Sequence, residues 1–83
     1  MPDALQGVAV VLAENGKSAE AVELTQEISD ANFRSAALSQ IVEVIARSGN
    51  FDEAEALARR IEVPESRAIA LLSVAHAFQA LQR

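Results

Sequence analysis

A gapless internal repeat constrains this chain more than any other feature. Gly16 and Gly49 stand 33 residues apart. The same offset pairs Ala13 with Ala46, Glu20 with Glu53, Ala21 with Ala54, Leu24 with Leu57, Ile28 with Ile61, Arg34 with Arg67, Ala37 with Ala70 and Leu38 with Leu71. Carried backwards, it sets Leu5 under Leu38, Val8 under Ile41 and Leu12 under Ile45, so the opening segment is a further copy of the longer unit. A period of about 20–50 residues belongs to architectures in which each unit buries its apolar face on a neighbouring unit. The order is long helix, short helix, long helix, short helix, long helix: about 2.5 repeats of 33 residues in 83.

Each unit carries the punctuation of a helical hairpin. In the middle copy, Leu38, Ile41, Val42 and Ile45 fall at the 3-and-4 spacing that lines one helical face. Gly49 ends that helix, because glycine takes the left-handed conformation at little steric cost. Asn50 follows as an expected N-cap, with Glu53 placed for a capping box. The short helix then sets Ala54, Leu57, Ala58 and Ile61 on its inner face, and the first copy places Ala21, Leu24, Thr25 and Ile28 there. The next long helix opens at Asp30 in one copy and at Val63-Pro64 in the other, where proline's missing N–H has no intrahelical partner to lose. Five helices are expected, at approximately 3–14, 18–29, 31–48, 51–61 and 64–82, in a single domain over 1–83.

Composition supports helices and removes several kinds of chemistry. The chain is 51% hydrophobic but only 4% aromatic, so its core is built from Ala, Leu, Val and Ile, the first two of which are strong helix formers. The absence of cysteine excludes disulfides, thiolate metal sites and cysteine nucleophiles, and suits the expected cytoplasmic location. A net charge of −5 disfavours a phosphate backbone as partner, so no nucleic acid is expected. No apolar run reaches the roughly 18 residues of a membrane span, and Met1-Pro2-Asp3 lacks the basic start of a signal peptide. No membrane partner is expected either.

The spacing resembles the tetratricopeptide-repeat-like superfamily, particularly the degenerate helix-hairpin repeats of bacterial regulatory proteins. The family pattern W-x2-L-G-x2-Y, A-x3-F, P is matched in spacing by Leu38, Ile41, Val42, Ile45, Ala54, Ala58 and Pro64. The first copy supplies Leu5, Val8, Ala9, Leu12, Ala21 and Thr25; the third supplies Leu71, Val74, Ala75 and Phe78. The large aromatics of the family are absent. The resemblance implies an all-α fold, a right-handed α-α superhelix or short solenoid of five antiparallel helices. It further implies a concave groove on the long helices, faced by Val10, Ala36, Ser39, Glu43, Ile69, Leu72, His76 and Gln79 as the partner-binding residues.

No reaction centre is expected. His76, the single histidine, lacks a nucleophile or converging metal ligands in its sequence neighbourhood, and Glu43 and Val10 stand at its repeat-equivalent positions. Gly7, Gly16 and Gly49 are isolated, so no phosphate-binding loop exists. Arg34 and Arg67 read as architectural, bridging to carboxylates such as Asp30 or Glu62. Glu20 and Glu53 suit the positive ends of their helices, and Glu55 with Arg59 forms an i,i+4 pair. No catalytic residue, metal or cofactor is assigned.

The terminal segments read differently. Residues 68–81 leave little polar face, and Val8-Ala9-Val10-Val11-Leu12 is an unbroken apolar run, although stacked repeats normally end in polar caps. Something is expected to cover them. The sequence therefore reads as a non-catalytic protein-protein interaction or scaffold module, binding a protein or peptide or self-associating through its terminal helices. Two other readings stay open: a structural piece of a longer solenoid, and a small acidic inhibitor or regulator of another protein.

Overall fold

The computed structural model of the chain describes residues 2–82, with side-chain environments for 4–82. It holds five α-helices: α1 (Pro2–Glu14), α2 (Ser18–Thr25), α3 (Ala31–Arg47), α4 (Phe51–Arg59) and α5 (Pro64–Leu81). No strand occurs among the described residues. Met1 and Arg83, the ends of the expected 1–83 domain, lie outside them.

The turns repeat with the sequence. Gly16 and Gly49 both sit at positive φ, +80° and +98°. At each, two hydrogen bonds fold the chain back over the helix end. Lys17 N donates to Leu12 O at 2.9 Å and Gly16 N to Ala13 O at 3.1 Å; one repeat later Asn50 N donates to Ile45 O at 3.3 Å and Gly49 N to Ala46 O at 3.0 Å. This is the Schellman pattern, which satisfies carbonyls left without intrahelical donors.

The short helices also end alike. After Thr25 the bonds tighten to three-residue spacing, from Glu27 to Leu24 and from Ile28 to Thr25, and after Arg59 from Arg60 to Leu57 and from Ile61 to Ala58. This tightening stops regular α-helix at Thr25 and Arg59, short of the expected ends near 29 and 61. It turns Ile28 and Ile61 fully into the core, and each burial stabilises the fold by about 1.5–3 kcal/mol.

The expected caps divide. Asp30 caps α3, its Oδ1 accepting from Asn32 N at 2.8 Å and Phe33 N at 3.1 Å. Pro64 opens α5 behind Val63. Asn50 precedes α4 but makes no side-chain cap bond, and Glu53 does not close a capping box: its Oε2 accepts from Ser18 Oγ at 2.8 Å instead. A tertiary bond between the first turns of α2 and α4 has replaced the local one.

Packing follows a simple order. Each long helix packs on the short helix that follows it, each short helix on the next long one, and the long helices on one another in the sequence α1, α3, α5. Helices α1 and α5 do not meet, nor do α2 and α4 pack together, and the molecule measures 40 × 27 × 16 Å. The inner faces read from the sequence are the core: Leu38, Ile41, Val42 and Ile45 of α3, then Ala54, Leu57, Ala58 and Ile61, are all buried. Ala21 and Thr25 are buried in the first copy, where Thr25 Oγ1 donates to Val22 O at 2.6 Å. No buried side-chain polar atom among the described residues lacks a partner.

Candidate interaction surface

The long helices carry two stripes each, and their burial depends on what stands beside them. One stripe is Ala4, Val8 and Val11 in α1, Ala37, Ile41 and Val44 in α3, and Ala70, Val74 and Ala77 in α5. The other is Leu5, Ala9, Leu12 and Ala13 in α1, then Leu38, Val42, Ile45 and Ala46 in α3, then Leu71, Ala75, Phe78 and Gln79 in α5. In α3 both stripes are covered. In α1 the second stripe is covered while Val8 and Val11 remain 53% exposed. In α5 the first stripe is covered, whereas Ala75, Phe78 and Gln79 are exposed, although their equivalents Val42, Ile45 and Ala46 are buried. Equivalent side chains differ in burial because α3 has a long helix packed on either side of it and α1 and α5 each have one.

The surface of α5 is apolar beyond this stripe. Ile69 and Leu72 are 61% and 57% exposed; one repeat earlier these positions are Ala36 and Ser39, both half-buried. Beside them a cleft of about 350 Å3 lies between α4 and α5, lined by Phe51, Leu71, Ala75 and Phe78. Phe51 and Phe78 meet edge to face with ring centroids 5.1 Å apart, a favourable aromatic geometry.

The residues assigned to a groove on the long helices take varied environments. Ile69, Leu72, His76 and Gln79 are exposed on α5 at the 3-4-3 spacing of one helical face. Glu43 is exposed on α3, 4.0 Å from Arg47. Ala36 and Ser39 are half-buried, with Ser39 Oγ donating to Ala36 O at 2.8 Å. Val10 is half-buried on α1 and lines a shallow cleft with Gln6, Gly7 and Gln40 of α3.

A different cleft is larger. It measures about 450 Å3 and lies between α2 and α4, whose first turns Ser18 and Glu53 bridge; Ala19, Val22, Ala56 and Leu57 give it an apolar lining, with Glu23 and Arg60 among its polar groups. Sequence reasoning did not find it. Its only signal is that Val22 and Ala56 are apolar residues off the inner stripe of their helices.

The recurrent charges are structural. Arg34 Nη1 donates to Ile28 O at 2.8 Å, and its Nε donates to Glu62 Oε1 at 3.1 Å. Arg67 repeats the first bond, donating from Nη1 to Ile61 O at 3.1 Å. Glu55 and Arg59 form the expected pair at 2.7 Å. No group of three His, Cys, Asp or Glu residues able to hold a metal occurs among the described residues, and no helix there is long and apolar enough to cross a membrane. Comparison with known proteins gave no matching family model, no matching curated protein and no matching solved structure.

Proposed function

We propose that the chain is a non-catalytic protein-protein interaction module, a short tetratricopeptide-like solenoid that works through the apolar surfaces of its terminal helices. The observation that carries the reading is the exposure of Val8 and Val11 on α1 and of Ile69, Leu72, Phe78 and Leu81 on α5. Contiguous exposed apolar surface in a small domain marks a binding surface, because leaving it in water forfeits about 25 cal/mol for every Å2 that a partner would cover. The pairing order of the helices and the two equivalent Schellman turns support the solenoid part of the reading.

Size-exclusion chromatography with light scattering tests the reading. The intact chain is expected to elute with a mass above its 8.8 kDa monomer, and Leu72→Glu to return it to a monomer with unchanged helical circular dichroism. A monodisperse wild-type monomer across the micromolar range contradicts self-association through these helices.

A further inference from the structure

The cleft between α2 and α4 is flanked by two internal helices, each packed on the long helix before it and the long helix after it. The bond from Ser18 Oγ to Glu53 Oε2 closes one end. From there the cleft of about 450 Å3 runs on into a second hollow of about 330 Å3, which shares Val22, Gln26, Leu57 and Arg60 with it and is also lined by the paired Arg34 and Glu62. At the rise of an α-helix, the wall from Ser18 to Gln26 is about 12 Å long. An extended chain of about four residues spans that length.

The repeat supplies a comparison for the lining. Ala19 and Val22 line the cleft, whereas one repeat later stand Asp52 and Glu55. Arg60 lines it too, whereas one repeat earlier stands Glu27. The helical hairpin therefore requires neither the apolar pair nor the cation at these positions. Two charged groups in the cleft also lack a counter-charge. Glu53 is engaged by Ser18, and Arg34 by Glu62 and the Ile28 carbonyl. Glu23 of α2 and Arg60 at the end of α4 line the same cleft and form no ion pair among the described residues. A ligand complementary to this surface offers apolar area to Val22 and Leu57, a cation to Glu23 and an anion to Arg60.

We propose that the cleft binds a short extended segment of another protein, in which an aliphatic side chain is flanked by a basic residue on one side and an acidic residue on the other. The aliphatic group sits on Val22 and Leu57, and the flanking charges pair with Glu23 and Arg60. A ligand with one charge, such as a fatty acid, leaves one of the two unmatched. The site is separate from the apolar surfaces of α1 and α5.

Nuclear magnetic resonance on the intact, nitrogen-15-labelled chain tests this. The probes are N-acetylated, C-amidated pentapeptides with a central leucine between alanines; their outer residues are one lysine and one glutamate in each order, two lysines, or two glutamates. A mixed-charge peptide is expected to bind most tightly and to shift the amides of Ala19, Val22, Glu23, Ala56, Leu57 and Arg60, each mismatched charge weakening binding about two- to five-fold. Arg60→Glu is expected to transfer the preference to the two-lysine peptide and Glu23→Lys to the two-glutamate peptide. Both residues are exposed, and circular dichroism confirms that each variant folds. Equal affinity for every peptide, a preference that neither variant moves, tighter binding of octanoate than of the mixed peptides, or shifts confined to α1 and α5 overturns the proposal. Unshifted spectra at millimolar peptide overturn it as well.

Discussion

Arg34 donates from Nη1 to the carbonyl oxygen of Ile28 at 2.8 Å, tying the opening turn of α3 to the tightened end of the helix before it. Arg67 makes the equivalent bond to Ile61, so the relationship is a property of the repeat. Arg34 goes further, since its Nε and Nη2 both reach Glu62 at the far end of the α3–α4 hairpin. Its side chain is 19% exposed and that of Glu62 is 63% exposed. Solvent therefore weakens the ion pair, and the bond to the carbonyl carries most of the value. Arg34→Ala is expected to destabilise the fold by about 1–2 kcal/mol and Glu62→Gln by less than about 0.5 kcal/mol. Urea unfolding followed by circular dichroism measures both; a Glu62→Gln loss equal to that of Arg34→Ala contradicts the assignment.

Glycine substitutions distinguish backbone conformation from crowding. A Cβ added at Gly7, Gly16 or Gly49 meets nothing within 4 Å, so any cost comes from the backbone alone. Gly16 and Gly49 hold positive φ, and alanine at either is expected to destabilise by about 1 kcal/mol. Gly7 lies inside α1, where alanine is expected to stabilise by about 0.8–1 kcal/mol. Thermal melts of the three variants at low protein concentration give the signs directly.

The caps give a second paired comparison. Asp30 accepts from two backbone N–H groups at the start of α3, whereas Asn50 makes no side-chain bond at the start of α4. Asp30→Ala is expected to cost about 0.5–2 kcal/mol, and Asn50→Ala only a few tenths. Chemical denaturation of the two variants checks the order, and a larger loss at Asn50 contradicts it.

Much of the helical hairpin plan was legible before any coordinates, and the reason is local. Gly16, Gly49, Asp30 and Pro64 act on their immediate neighbours, and the 3-and-4 spacing of Leu38, Ile41, Val42 and Ile45 identifies a buried face without reference to its partner. The even apolarity of residues 68–81 likewise left apolar side chains in excess of what one neighbouring long helix covers, and Ile69, Leu72, Phe78 and Leu81 are exposed. What could not be read depends on where whole helices sit. Glu53 had two possible donors, its own helix start and Ser18, and only the juxtaposition of the first turns of α2 and α4 selects Ser18. The cleft beside Val22 and Ala56 lies between two helices that each pack on α3 and meet through the Ser18–Glu53 bond. The early end of α2 at Thr25 reflects the tightening that buries Ile28, a tertiary demand that overrides propensity.

The unequal cover of the three long helices has a dynamic consequence. Helix α3, covered on both sides, belongs to the most stable part of the molecule, while α1 and α5 are each covered on one side and open more readily. Association through the open stripes would remove that difference. Hydrogen-deuterium exchange followed by mass spectrometry, at one concentration well below association and one well above it, reads this helix by helix. Protection is expected to rise with concentration in α1 and α5 together, while α3 stays unchanged. Equal protection of all three long helices at low concentration, or a gain confined to α2 and α4, would contradict an interaction module that works through its terminal helices.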